Sequence, residues 1–259
     1  MKYAILKISF FTLPVLMTLF SCHAGSKIKT LSDDILGEFV LVKGGSYIAG
    51  NTHEQEQPCK KNNILGVNCD SAQAEVESFF IGKTEITQAQ WQKVMGSNPS
   101  FHSCPNCPVE NITRSDINAF LTKINKTAKS KYRLPSLSEW EYAARGGIMN
   151  IASKYPGSND LNAVAWHKRN SNNSTHEVAQ KQPNELGLYD MAGNVAEFCN
   201  KDRNFETDLT LDKEQEKGGA FLSDSSSCKT GYFKQKFYHD LPPDENNNFT
   251  GFRLLMEVK

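Results

Sequence analysis

The part of the chain after residue 147 contains no long periodic run of apolar residues, and this constrains the fold more than any other feature. Gly, Asn, Ser, Pro and Asp dominate there, and the apolar stretches are only a few residues long. Such a composition predicts turns and short strands rather than long helices. A domain with so much irregular backbone needs additional stabilising links, of which disulfides and bound calcium are the usual ones.

The earlier part of the chain predicts strands, and its composition excludes one class of partner. Residues 38–50 favour a strand, a Gly-Gly turn and a second strand, and Phe79-Phe80-Ile81 favours another short strand. No internal repeat and no linker-like composition follow residue 37, so we expect one domain over residues 38–259. Lysine plus arginine equals aspartate plus glutamate, at 29 each, and no basic run is present, which argues against nucleic acid as a partner.

Three helices are predicted before residue 147. Thr87 and Ser136 each stand three residues before a Gln or Glu, which is the pattern of a capping box at a helix start. Between them, apolar spacing predicts a helix over about 115–125. Gly146 is suited to the left-handed position that ends the third helix. The residues expected to face inward are Trp91, Val94 and Met95, then Ile117, Phe120, Leu121 and Ile124, then Leu137, Trp140 and Ala144.

The first 24 residues are typical of an export signal, in which Lys2 and Lys7 precede an apolar run over 8–20. The run is too short for a convincing membrane-spanning helix. Leu19-Phe20-Ser21-Cys22 looks like a lipobox that would make Cys22 a lipidated first residue, whereas cleavage after Ala24 is the alternative. We expect an exported protein, anchored to the membrane through lipid only and facing the periplasm or the cell surface. Residues 25–37 are predicted to be a mobile linker.

Six cysteines remain after either cleavage, and an even count in an exported chain favours disulfides. The Cys-x2-Cys spacing at Cys104 is also that of a zinc half-site or a redox motif. No second half-site is present, and Pro108 with turn-rich surroundings favours a tight structural disulfide instead. The expected pairs are Cys59 with Cys69, Cys104 with Cys107, and Cys199 with Cys228.

Asp190 and Glu197 flank a Gly-Asn turn seven positions apart. Calcium prefers carboxylate oxygens and backbone carbonyls, both of which such a turn offers. From the spacing alone, a turn with two solvated acidic residues is the simpler interpretation. Both interpretations remain open at this level.

Several segments, in this order, resemble the formylglycine-generating enzyme family, also called the sulfatase-modifying-factor family. They cover nearly all of residues 38–256 and are the segments 39–45, Thr84-Glu85-Ile86-Thr87, 108–112, 132–147, 183–199, Gly218-Gly219 and Gly251-Phe252-Arg253. The resemblance implies an α+β fold, a single mixed domain with a C-type-lectin-like core and little regular secondary structure.

The resemblance also implies a calcium site. Family members bind calcium through side chains at the positions of Asp190 and Glu197, and through the carbonyls at the positions of Gly193 and Val195. We therefore expect bound Ca2+ to stabilise the fold.

The family's copper chemistry is not expected here. Active members bind Cu(I) with two cysteines five positions apart, and this chain has Ser223 and Cys228 at those positions. A thiolate pair suits Cu(I), whereas a hydroxyl does not. Ala220 and Ala196 replace a family serine and a family tryptophan in the same active site. Cys228 is left either as a disulfide partner or as a lone thiol that the adjacent Lys229 would activate.

Two functions follow as expectations. The first is an exported, calcium-stabilised protein that keeps the family fold for binding or scaffolding in the cell envelope, with an envelope protein or a glycan as partner. The second is an enzyme that modifies an exported polypeptide or a metabolite by other chemistry.

Overall fold

A computed structural model describes residues 29–50, 72–202, 213–231, 233–237 and 249–258. The helices are α1 (Gln88–Met95), α2 (Arg114–Thr127), α3 (Leu137–Ala144) and α4 (Leu161–Val164), with a 3-10 turn at Gly147–Met149. The strands are β1 (Thr30–Asp33), β2 (Gly37–Val42), β3 (Gly45–Ala49), β4 (Ala72–Val76), β5 (Phe79–Gly82), β6 (Tyr132–Arg133), β7 (Ala196–Cys199), β8 (Lys213–Lys217), β9 (Phe233–Phe237), β10 (Thr250–Gly251) and β11 (Leu255–Glu257). This mixture of helices and small sheets is the expected α+β class.

The strands form three sheets. The largest is antiparallel throughout, with the order β1-β2-β5-β11-β6. The second has the order β10-β7-β8-β9, in which only the short β10 is parallel to its neighbour β7. Strands β3 and β4 pair as an antiparallel ribbon. Chain segments far apart in sequence therefore meet in the largest sheet, where Leu255 pairs with Ile81.

The five-stranded sheet divides the core into two layers. Successive side chains of a strand point to opposite faces, and Phe39 and Phe80 accordingly pack with helices α1 and α2 on one face. Val40 and Ile81 pack with helix α3 on the other face. Both faces are apolar because both are covered, which explains why β2 and β5 show continuous apolar runs rather than alternation.

The predicted helix starts are confirmed. The Thr87 hydroxyl accepts the amide of Gln90, and the Gln90 side chain accepts the amide of Thr87. Ser136 caps α3 with the same reciprocal arrangement. Helix α2 is longer at both ends than predicted, and a third capping box, formed by Thr113, sets its earlier start. Gly146 adopts the left-handed conformation, with φ of 86°, directly after α3.

The prediction of a mobile linker over residues 25–37 is wrong for its second half. Residues 30–33 form the edge strand β1, which pairs with β2. The Asp33 carboxylate accepts the amides of Ile35 and Leu36 and so closes the turn between the two strands. Leu36 is buried in the core. A polar edge strand of four residues gives little periodic signal, so its pairing is visible only in three dimensions.

The predicted disulfide between Cys104 and Cys107 is confirmed. The export signal with Cys22, and the predicted Cys59–Cys69 pair, lie outside the described residues. Within the described ranges, no helix has the length and apolar composition needed to cross a bilayer.

Glu110 fastens the loop that carries this disulfide. Its carboxylate accepts the amide of Phe101 at 2.7 Å, while its own amide donates to the Ser100 hydroxyl. Its other carboxylate oxygen is buried and has no hydrogen-bond partner among the residues described. Burial raises the pKa of Glu110 from its ordinary value of 4.5 to about 7. The folded protein therefore holds a proton here at pH values where the unfolded chain has lost it.

We expect Glu110→Gln to stabilise the protein above neutral pH and to have little effect at acidic pH. As pH rises from 4.5 to about 7, the unfolded wild-type chain ionises first, so the wild type loses stability that the neutral amide keeps. The difference should approach about 3 kcal/mol above the folded pKa, at about 1.4 kcal/mol per pKa unit. Urea unfolding of both proteins at several pH values measures it, with the exposed Glu77→Gln as control. A difference independent of pH would contradict the assignment.

Candidate functional site

The irregular segment 187–195, which leads into strand β7, lies at the centre of the site and depends on unusual backbone conformations. Asp190, Gly193 and Asn194 all have positive φ, at 54°, 74° and 58°. A side chain on Gly193 would collide with the carbonyl of Trp166, so only glycine fits there. Asp and Asn are the other residues that most readily adopt this conformation. The local sequence thus specifies a backbone that neither a helix nor a strand provides.

Side chains of this segment hold a second irregular segment beside it. The Asn194 amide accepts the backbone N–H of His176 at 2.9 Å and donates to its carbonyl at 3.1 Å. The Asp190 carboxylate accepts the amide of Ala179 at 2.7 Å through Oδ2. These bonds replace the ladder hydrogen bonds that regular structure would supply.

A fully buried ion pair lies behind the segment. Arg253 and Glu197 are 0% and 1% exposed, and the guanidinium donates to both carboxylate oxygens, at 2.6 and 2.7 Å. Arg253 also donates to the carbonyls of Gly82 and Tyr189. The Trp140 indole donates to Glu197 at 2.7 Å. Such a pair is stable only when its polar atoms are bonded in this way.

Two further carboxyl groups, those of Glu85 and Asp190, lie near this pair. Glu85 is completely buried, and neither of its oxygens has a hydrogen-bond partner within the described ranges. Its pKa lies well above the ordinary value, because of burial first and then the nearby Asp190 and Glu197. Burial also raises the pKa of Asp190 to about 6. The Oδ1 atom of Asp190 is buried and, as far as the described residues show, has no partner.

The residues predicted to bind calcium fit such an ion in part. Asp190 offers the unpartnered Oδ1. Glu197 already receives two bonds at Oε2 but only one at Oε1, which leaves a lone pair for another partner. No cluster of three or more His, Cys, Asp or Glu side chains in the described part of the chain is arranged to hold a metal. A calcium ion here would therefore need carbonyls, such as those of Gly193 and Val195, to complete its oxygen ligands.

The residues at the family's copper positions do not fit Cu(I). The Ser223 hydroxyl accepts the amide of Ala220 at 2.8 Å and closes a tight turn. Cys228 is 1% exposed and packs among apolar side chains that include Tyr155 and Leu161. Burial raises the pKa of its thiol to about 12. A neutral buried thiol and an occupied hydroxyl do not provide the thiolates that Cu(I) requires.

The predicted disulfide between Cys199 and Cys228 is wrong, because both cysteines are free thiols. Cys199 lies in β7 and packs in the core layer around Trp140. Cys228 belongs to a separate small cluster. The expectation that Lys229 activates Cys228 is also wrong, since burial dominates and keeps the thiol protonated. Both cysteines serve as small apolar core residues.

Sequence reasoning assigned no role to Glu85 or Arg253, although both stand in segments that carry the family resemblance. A signal for Arg253 was present, because it is the only charge in the apolar run from Phe252 to Met256. An ionisable residue inside a buried run needs a partner. The identity of that partner, Glu197, comes from the pairing of distant segments and has no local sequence signal.

Comparison with known proteins identifies the family to which this fold and site belong. A family model described as the sulfatase-modifying factor enzyme 1-like domain matches residues 26–258. The chain therefore belongs to the formylglycine-generating enzyme, or sulfatase-modifying-factor, family.

The relatives include proteins with different names. A protein named chaperone protein LppX from Paenibacillus barcinonensis is 30% identical over 267 residues, covering 83% of this chain and 88% of that protein. The formylglycine-generating enzyme of Thermomonospora curvata is 29% identical over 196 residues, covering 65% and 61%. Membership of the family therefore does not by itself show that a chain catalyses the formation of formylglycine.

Solved structures agree with the fold. Variable protein 1 of Treponema denticola has a TM-score of 0.68 at 26% identity, over 90% of this chain and 99% of that one. PvdO from Pseudomonas aeruginosa has a TM-score of 0.70 at 18% identity, over 89% and 98%. The second likeness concerns the fold alone.

We expect Arg253→Met to destabilise the protein severely. The substitution leaves the Glu197 carboxylate buried without its counter-charge, which costs about 3–5 kcal/mol in comparable buried pairs. The control is Lys168→Met, which removes the same charge from an exposed pair with Asp224, whose side chains are 60% and 73% exposed. That change should cost about 0–1 kcal/mol. Equal losses in urea unfolding would contradict a central role for Arg253.

Proposed function

We propose that this chain is an exported binding or scaffold protein of the cell envelope that keeps the family fold without copper chemistry. The observation that carries the proposal is the state of Cys228, whose thiol is buried and protonated. Copper-dependent oxidation of a substrate cysteine needs accessible thiolates on the enzyme. Ser223 does not replace the missing second thiolate, because it offers only a hydroxyl, which already accepts the amide of Ala220.

The partner we propose is a polypeptide. A relative matching most of this chain is named a chaperone, which supports a role on other proteins. The fold we propose, with a C-type-lectin-like core, holds irregular loops on a rigid frame, and such loops are suited to recognition. Phe101, three residues before the Cys104–Cys107 disulfide and held by the hydrogen bond of its amide to Glu110, is 59% exposed. An exposed aromatic side chain on a fastened loop is a suitable contact for apolar segments of a partner. A glycan remains the alternative partner.

Export and anchoring belong to the same proposal. The signal-like first 24 residues and the lipobox ending at Cys22 support a lipoprotein that faces the periplasm or the cell surface. Attachment would be through lipid alone.

Calcium is proposed as the ion that stabilises the site. Glu85, Asp190 and Glu197 place three carboxyl groups around one guanidinium, so a divalent cation would balance the remaining charge. The proposed ligands are Asp190, Glu197 and the carbonyls of Gly193 and Val195.

The absence of copper chemistry is tested with a peptide that carries a sulfatase-type cysteine. Incubated with the purified protein and Cu(I), the peptide should keep its cysteine, because Ser223 supplies no thiolate and Cys228 is buried. Mass spectrometry detects conversion to formylglycine as loss of sulfur. The enzyme of Thermomonospora curvata is the positive control. Copper-dependent conversion by this protein would refute the proposal and favour the enzyme alternative.

Calcium should raise the melting temperature by several degrees relative to chelator, since an ion that binds only the folded protein adds about 2.7 kcal/mol at a hundredfold excess over its Kd. Asp190→Asn should remove this difference. Its amide keeps a bond to Ala179 and tolerates the positive φ, but offers no second carboxylate oxygen. Asp224→Asn, at an exposed position, should leave the difference unchanged. Identical melting of the wild type in calcium and chelator would refute calcium binding.

The binding role is tested with a polypeptide that aggregates when its disulfides are reduced, such as insulin. The wild-type protein should suppress the increase in light scattering, and Phe101→Ser should weaken this effect. Ile151→Ser removes an equally exposed apolar side chain, 63% exposed, from another loop and is the matched control. Retention on insoluble peptidoglycan with no effect on aggregation would favour the glycan partner instead.

A further inference from the structure

The Cys104–Cys107 disulfide lies against the first turn of helix α1, a contact that has no local sequence signal. The amide of Gln88 donates to the carbonyl of Cys107 at 2.9 Å, and the amide of Ala89 donates to the carbonyl of Pro105 at 3.0 Å. Turn-rich surroundings in the sequence favour a purely structural bond. A position at the start of a helix, in contrast, favours a reactive Cys-x2-Cys motif.

The start of α1 favours negative charge at this disulfide. The aligned peptide dipoles of a helix place partial positive charge at its first turn, and a nearby thiol ionises more easily there. The first turn of α1 carries no acidic side chain that would oppose this effect. The buried side chain of Gln88 accepts the amide of Cys104 at 2.8 Å, so the first residue of the helix also holds the first cysteine. A thiolate released at this position would therefore be stabilised by the helix.

The two cysteines differ in access to solvent. Cys104 is partly exposed, whereas Cys107 is only 4% exposed. In thiol–disulfide exchange, a thiolate attacks one sulfur of the bond and the other sulfur leaves as a thiolate. Cys104 is thus the residue that a substrate thiolate can reach, and Cys107 is the residue that leaves beside α1. The exposed Phe101 lies three residues before Cys104 and offers an apolar contact to the substrate.

We propose that the Cys104–Cys107 disulfide oxidises a pair of thiols in an exported polypeptide, an activity beyond the binding role proposed above. A substrate thiolate attacks Sγ of Cys104 and forms a mixed disulfide, while the bond to Cys107 breaks and leaves Cys107 as a thiolate. The second substrate thiolate then attacks the substrate sulfur of the mixed disulfide and releases Cys104. Two electrons pass from the substrate to the protein, the substrate gains a disulfide, and its two thiol protons end on Cys104 and Cys107.

The test mixes the full-length oxidised protein with a short synthetic peptide that carries two reduced cysteines. After alkylation of free thiols, mass spectrometry should find the peptide disulfide and equal amounts of newly alkylated Cys104 and Cys107. A peptide with a single cysteine should form its mixed disulfide with Cys104 and leave Cys107 to be alkylated. A variant that carries both Cys104→Ser and Cys107→Ser should not oxidise the peptide.

Substitution of Ala89 tests the contribution of the helix without changing either cysteine. Ala89 is exposed in the first turn of α1, where an acidic side chain stabilises the helix but opposes a nearby thiolate. Ala89→Glu should therefore slow the reduction of the disulfide about two- to fivefold, as expected for one exposed charge near another, without lowering the melting temperature. Ala89→Gln is the matched neutral control and should react at the wild-type rate.

The outcomes separate this inference from the proposed binding role. An intact Cys104–Cys107 bond after incubation with the reduced peptide would overturn the inference. A mixed disulfide at Cys107, oxidation of the peptide by the double serine variant, or equal rates for Ala89→Glu and Ala89→Gln would do the same. None of these results affects polypeptide binding, which suppression of insulin aggregation measures independently. Exchange with the short peptide but no suppression of aggregation would support the exchange chemistry and refute the binding role.

Discussion

The buried ion pair between Arg253 and Glu197 is the contact on which the rest of the site depends. One guanidinium joins the carbonyl of Gly82 at the end of β5, the carbonyl of Tyr189 in the irregular segment, and the carboxylate of Glu197 in β7. The Trp140 indole adds helix α3 to the same carboxylate. Because removing two charges from water is costly, the pair is retained only with all of these bonds in place. It therefore fixes the relative positions of a sheet, a helix and a segment with no regular structure.

The elements that could be predicted from the sequence are those whose determinants are local. The capping boxes at Thr87 and Ser136 involve residues three positions apart, and the face of α2 from Ile117 to Ile124 repeats within two turns. Strand β1 was missed because its pairing is non-local and its residues are largely polar. The sheet order could not be predicted for the same reason, since no local pattern indicates that β11 lies between β5 and β6.

The candidate site likewise has some features with a local sequence signal and others that depend on distant contacts. The resemblance predicted a calcium site in the segment around Asp190, and this stays a prediction. The partner of Glu197 lies 56 residues away in sequence, so that contact and the isolation of Glu85 depend on how distant segments meet. The cysteines show how a general rule fails. An even count in an exported chain predicted a Cys199–Cys228 bond, yet the two residues pack in different apolar clusters. Burial, which cysteine favours as strongly as most apolar residues, explains both without any bond.

The segment with the copper positions Ser223 and Cys228 is bonded to the segment that carries Asp190 and Glu197, but the two must meet different structural requirements. The segment that carries Ala220 is attached to the central segment by two backbone bonds, Gly193 to Gly218 and Phe221 to Asn194, each 2.9 Å long. Those bonds involve no side chain, so Ser223 and Ala220 can replace the family's cysteine and serine without disturbing them. Arg253, Glu197 and Glu85 lie in the core, where an unpaired charge would destabilise the fold. Replacement of the residues at the copper positions is therefore compatible with an intact frame, which supports the proposal that this chain keeps the family fold for binding.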